Sequence, residues 1–140
     1  MATEVDYIAF ANRTHKTIKL LLSDSQTHSP WIAIAAFYKA LHVAEAVFAA
    51  DRKHCGNHGE REVLLKTTRK YEKICEHYLP LSRASTIARY LVTHQCFDTY
   101  LTADKVISQL LKHELTQVEK SAVKFLTDPA SLILIGEAFT

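Results

Sequence analysis

The chain has 140 residues, 48% apolar and 23% charged, which are the proportions of one globular domain, 1–140, and exclude a disordered or fibrous polymer. Seventeen basic against fifteen acidic residues leave a formal charge of +2, which permits a polyanionic partner without demanding one. Three glycines and three prolines supply little turn material, so few and long elements are expected. Cys55, Cys75 and Cys96 are odd in number and not closely paired, so they read as reduced thiols rather than a zinc or redox motif. The start Met1-Ala2-Thr3-Glu4 lacks a basic-then-apolar leader, and the expected location is the cytoplasm.

Ile8, Ala11, His15, Ile18 and Leu22 recur at spacings of three and four, one face of a helix from about Val5 to Asp24. The polar run Ser23 to Ser29 ends it. Ser29 followed by Pro30 is a capping residue before a proline suited to a first helical position, and predicts a second helix from there. Ile34, Tyr38, Leu41, Glu45 and Phe48 continue the spacing among Ala, Val and Ile, so this helix is expected at the centre. Trp31 to Ala50 has the length of a membrane span, but Lys39, His42 and Glu45 lie in its middle, where a charge costs about 2.5–3.5 kcal/mol. A buried helix is the expectation.

Gly56 and Gly59 place a connection at Asp51 to Glu60, and Asn57 with Glu60 resembles a capping box, putting His58 at the first position of a third helix. Leu64, Thr68, Tyr71, Cys75 and Tyr78 mark its buried stripe until Pro80, after which Ser82 or Ser85 would cap a shorter fourth helix. Ile107, Leu111, Leu115, Val118, Ala122 and Phe125 define a fifth helix that Asp128-Pro129 terminates. Leu132 to Ile135, four consecutive apolar residues, must dock, either on the chain's own core or on a partner subunit. The fold class is all-α, an antiparallel helix bundle with a docked C-terminal tail.

His42 and Glu45 are polar exceptions one turn apart on an apolar helix, readable as a structural pair or as part of a functional pocket. The loop from Asp51 to Arg61 gathers Arg52, Lys53, His54, His58 and Arg61 near a helix N-terminus. It reads as solvated charge, as a site for phosphate or carboxylate, or, more weakly, as a metal site of His54, Cys55 and His58 that lacks a fourth ligand. No metal or cofactor is therefore expected. Lys66, Arg69, Lys70, Lys73 and His77 form a basic ridge that suits either solvent or a nucleic-acid backbone.

Two stretches together resemble the HEPN superfamily, small helical domains associated with nucleotides and RNA. The first is Trp31, Phe37-Tyr38, Leu41-His42 and Glu45-Ala46, followed by His54, His58 and Arg61; the second is Tyr78-Leu79, Ser82 or Ser85, and Ala88-Arg89-Tyr90. The resemblance covers about Ser29 to Ala122. It implies an antiparallel four-helix bundle, here with an additional short helix, a homodimer, and often a nucleotidyltransferase partner in toxin–antitoxin systems. It also implies one of two activities: RNA or nucleotide binding, or metal-independent RNA cleavage by an arginine with a histidine four to six residues on. Arg89 with His94 fits that spacing, as does Arg52 with His58, and Tyr90 follows Arg89 where catalytic members commonly carry a polar residue. A ligand-free structural dimer is the third reading.

Overall fold

Thr3 and Asp6 open the first helix, α1 (Glu4–Leu21), as a capping box: the Thr3 hydroxyl accepts the Asp6 N–H while the Asp6 carboxylate accepts the Thr3 N–H. The computed structural model describes residues 1–90 and 97–140, and every regular element among them is helical. After a 3-10 turn (Leu22–Asp24) the chain reverses into α2 (Ser25–Ala50), which packs antiparallel to α1, Phe10 meeting His42 and His15 meeting Lys39. The cap of α2 is Asp24, accepting the Thr27 N–H at 3.3 Å, and not Ser29. An ionised carboxylate complements the positive end of the helix, and Pro30, inside α2, forfeits only one bond near its start. Ser29 is buried instead, its hydroxyl donating to Asp98 at 2.9 Å.

From Ile32 to Phe48 most of α2 is buried, the central position expected for it. The apolar window near the N-terminus that has the length of a membrane span is 78% buried inside the structure. Against α2 lies α4 (Glu72–Tyr90), again antiparallel, with Phe37 on Tyr78 and Phe48 on Tyr71.

Two expectations fail between these helices. The third helix does not run unbroken to Pro80: α3 (His58–Thr67) ends at extended Thr68, and a 3-10 turn (Arg69–Tyr71) leads into α4. That break sends Tyr71 fully into the core, where its hydroxyl donates to Asp51. Nor does Pro80 end the helix, so Ser82 and Ser85 cap nothing. The proline denies a partner to the carbonyl of Glu76, an exposed residue whose carbonyl water can serve, while burial of Tyr78, Leu81 and Ala84 holds the helix together.

A short α5 (Phe97–Tyr100) precedes a rod of three segments: α6 (Ala103–Lys105), a π-helical stretch (Val106–Leu115) and α7 (Thr116–Ala122). Leu111, Leu115, Val118 and Ala122 of the expected face are buried and Ile107 and Phe125 half-buried; the helix ends at Ala122, short of Asp128-Pro129, and the π winding is not legible in the spacing. The tail docks on the chain's own core through Leu132 and Ile135.

Polar contacts fasten that tail. Lys39, fully buried on α2, places its ammonium 2.6 Å from Glu119 Oε2, 3.0 Å from His15 Nδ1 and 2.8 Å from the Ile133 carbonyl. Glu119 Oε1 accepts the Ile135 N–H at 2.7 Å, whereas Oε2 meets Lys39 off the hydrogen-bonding direction. Burial pushes Lys39 down and Glu119 up from their ordinary ranges. Three acceptors around an ammonium, one of them a carboxylate in contact, keep the pair ionised. Because Lys39 only donates, His15 Nδ1 accepts, and the imidazole proton sits on Nε2 facing Glu137 at 2.7 Å.

Burial, followed by the nearby Lys39, holds the His15 imidazole below its usual range, against the pull of Glu137. Such a histidine binds its proton more weakly folded than unfolded. Its stabilisation is complete above the unfolded value of about 6.5 and is lost as pH falls from there toward the folded value. The urea midpoint is expected to drop on acidification from pH 7 to 5, and His15→Gln, which keeps an acceptor for Lys39 and a donor for Glu137, to shallow that drop. Glu119→Ala, leaving a buried cation unpaired, should cost about 3–5 kcal/mol by urea denaturation at pH 7.

Candidate functional site

The spacing that places His58 and Arg61 one turn apart on α3 directs both at the seam between α2 and α4. Asn57 caps α3 by accepting the Glu60 N–H at 2.9 Å, and the Glu60 carboxylate accepts the Gly56 N–H at 2.5 Å. The helix start therefore carries a carboxylate of its own, which takes part of the anion-binding capacity expected there.

Arg61 is buried. Its Nε donates to Glu45 Oε1 at 2.6 Å, one terminal nitrogen donates to His58 Nδ1 at 3.0 Å, and the Tyr78 hydroxyl accepts a further bond. Desolvation alone would lower the Arg61 pKa, but the hydrogen bond it donates to Glu45 and the neighbouring groups carry it above its usual range. Tyr78 is pushed up to about 12, chiefly by burial. Arg61 is thus a structural cation, and the expected convergence of Arg52, Lys53 and Arg61 on one anion is corrected: the Glu45 carboxylate is Arg61's anion. Glu45 pairs with Arg61 and not with His42.

A guanidinium donates only, so Nδ1 of His58 accepts and the proton of the neutral ring sits on Nε2. Burial first, then Arg61 and Arg89, hold His58 below the usual histidine range. At neutral pH this exposed imidazole is an uncharged hydrogen-bond donor through Nε2, stacked on Phe37 at 6.1 Å. The role of base or metal ligand considered for it is closed in that tautomer.

Arg89, half-buried in the last turn of α4, is the second cation beside His58. Its guanidinium lies 5.9 Å from the Tyr38 ring and 5.1 Å from the Tyr90 ring. Its hydrogen bonds to the Tyr38 hydroxyl and the Ser85 carbonyl are both long, at 3.4 Å, so its charge is not matched by any carboxylate among the described residues. His94, its expected catalytic partner, lies outside the described residues.

The rest of the loop forms a separate place. Arg52, Lys53 and His54 line a hollow of about 360 Å³ together with Thr3, Glu4 and Tyr7. The Arg52 backbone is left-handed, φ 59°, in a Schellman turn: its N–H donates to Ala49 and the Lys53 N–H to Phe48 at 2.8 Å. Glycine is the usual residue there, and a side chain costs about 1–2 kcal/mol. Lys53 lies over the Tyr71 ring at 5.1 Å. Arg52 and His58 share no contact among the described residues.

His42 packs on Phe10 at 5.5 Å, and its buried Nδ1 has no hydrogen-bond partner among the described residues. Burial and then Arg61 lower its pKa. The basic ridge is broken by the α3–α4 corner and locally neutralised: Lys66 pairs with Glu62 at 3.6 Å, Lys70 with Asp51 at 2.8 Å and Lys73 with Glu76 at 3.7 Å. Phe37, Tyr38 and Tyr78, which carry the HEPN resemblance but were not expected as site residues, enter the site. Their types say only that they are aromatic, and the packing of α2 on α4 decides where the rings point.

The chain matches no family model, no curated protein and no solved structure.

Glu45→Ala strands the Arg61 guanidinium and is expected to lower stability by about 3–5 kcal/mol in urea, whereas Glu62→Ala, which removes only the pair with exposed Lys66, should lower it by at most about 0.5 kcal/mol. Arg52→Gly relieves the left-handed backbone and should raise stability by up to about 1 kcal/mol, read from the same titration.

Proposed function

We propose that this domain is a HEPN-like RNA- or nucleotide-binding module, cytoplasmic and dimeric, whose anion site is centred on Arg89 and the Nε2–H of His58. The observation that carries the reading is the unmatched Arg89 guanidinium beside neutral His58, flanked by half-buried Tyr38 and exposed Tyr90, with buried Phe37 beneath the imidazole. A cation and a donor for phosphate next to an exposed aromatic ring, Tyr90, for a base is the pairing that single-stranded nucleic acids use. Four long rods, α1, α2, α4 and the α6–α7 rod, with neighbours running antiparallel, support the four-helix HEPN architecture, and α3 would be the additional short helix. Exposed Trp31 offers apolar surface to a second copy or to a nucleotidyltransferase of a toxin–antitoxin pair.

Single-stranded RNA binding followed by fluorescence anisotropy across a salt series tests this. Arg89→Gln should weaken binding about tenfold and reduce the salt slope by about one, and His58→Gln should weaken it less, since only one neutral donor is altered. Arg52→Ala with Lys53→Ala should matter less still, because their hollow also holds Glu4. Unchanged affinity and slope in Arg89→Gln would overturn the reading. The same RNA incubated in excess EDTA separates binding from cleavage: products ending in 2′,3′-cyclic phosphate, lost by about a hundredfold or more in His94→Ala, would make Arg89 and His94 a ribonuclease pair. Sedimentation at tens of micromolar should give about twice the 15.8 kDa chain mass, and a strict monomer would remove the dimer.

A further inference from the structure

Away from the His58 site, α4 and the π-helical stretch bring together three side chains with free electron pairs. His77 projects from α4; His113 and Glu114 stand at the end of the π stretch. One donor atom from each lies within 4.8 Å of the others. His77 Nδ1 is 2.9 Å from Glu114 Oε2, and His113 Nε2 is 3.7 Å from Glu114 Oε1.

We propose that His77, His113 and Glu114 form a binding site for one divalent first-row transition cation of the zinc class, which joins α4 to the π stretch. Ligands at 2.0–2.2 Å from a tetrahedral ion sit about 3.4 Å from one another, a value the two carboxylate-to-imidazole spacings bracket. Only the exposed His113 ring has to swing inward. Two imidazoles and one carboxylate form a nitrogen-rich set that suits zinc, cobalt, nickel or copper and does not suit magnesium or calcium, which take oxygen ligands.

Three further features fit a metal ligand set better than an ordinary surface hydrogen bond. The other ring nitrogen of His77, Nε2, has the Glu76 carboxylate 4.0 Å away, too far for a hydrogen bond but on the side from which a carboxylate orients a metal-bound imidazole. Lys112, next to His113 in the chain, holds its ammonium 4.8 Å from the Phe139 ring, engaged away from the cluster. The π winding turns successive residues through a smaller angle than an α-helix does, so the neighbours His113 and Glu114 converge on one partner, and π segments recur at functional sites. With three protein donors and His113 exposed, the fourth position is open to water.

The site shares no residue with the RNA-binding reading, and its test is separate. The tag-free full chain, freed of metal by EDTA and then of EDTA, is titrated with Co²⁺ followed by visible absorption, and with Zn²⁺ in competition and in thermal unfolding. Expected are one equivalent bound, four-coordinate cobalt bands displaced by Zn²⁺ but not by Mg²⁺, and a Tm that rises with Zn²⁺. His113→Ala and Glu114→Gln, both at solvent-accessible positions, should keep the far-UV helical signal, weaken binding at least about tenfold and abolish the Tm rise. The double change His54→Ala with His58→Ala should alter none of these. Absence of saturable binding, binding unaffected by His113→Ala and Glu114→Gln, or binding lost only in the His54/His58 variant would overturn the site.

Discussion

A lysine in the middle of the most apolar helix sets the terms for the rest of the fold. Lys39 cannot reach water, so three other elements must answer its charge: α1 with His15, α7 with Glu119 and the tail with the Ile133 carbonyl. Hydrophobic burial favours any arrangement that hides the apolar faces, and it discriminates poorly between neighbouring registers. A buried ammonium discriminates strongly, because a slip of one turn on any partner leaves an uncompensated charge. The pair adds less to net stability than its short distance suggests, since desolvating both ions offsets most of their attraction. Its effect is to choose one register, and with it the place where the tail lies down.

The second buried charge on α2 acts in the same way with the opposite sign. Glu45 draws Arg61 inward and so fixes the rotation of α3 against α2. Arg61 then takes His58 Nδ1 as an acceptor, which sets the imidazole tautomer and leaves its outer nitrogen as a donor. A structural ion pair thereby prepares the chemistry of an exposed histidine beside it. Arg89 has aromatic rings for neighbours and no carboxylate among the described residues, whereas Lys66 of α3, Lys70 of the turn and Lys73 of α4 each face an acidic side chain.

Local signals failed in this chain where a competing local cap stood nearby or a long-range demand overrode them. Ser29-Pro30 is a fair helix start by itself, yet Asp24 is the stronger cap and α2 begins there. Pro80 is a fair stop, yet the helix continues because Tyr78, Leu81 and Ala84 gain more by staying buried than one carbonyl loses. Asn57 as the cap of α3 was read correctly, since a cap is decided within four residues and no tertiary contact opposes it.

By itself the sequence determined the helical class, the buried stripe of α1 and the start of α3 at Asn57, because those properties are set by residues three or four positions apart. It also named Arg89, His58 and Arg61 as candidates, without separating a strut from a ligand. Only the tertiary structure decided that Arg61 is consumed by Glu45, that Arg52 and Lys53 sit apart from His58, and that His77 meets His113 and Glu114. These are contacts between elements, and their energies depend on which faces meet rather than on spacing along the chain. No count of residue types carries that information, because the same arginine is a ligand in solvent and a strut beside a buried carboxylate.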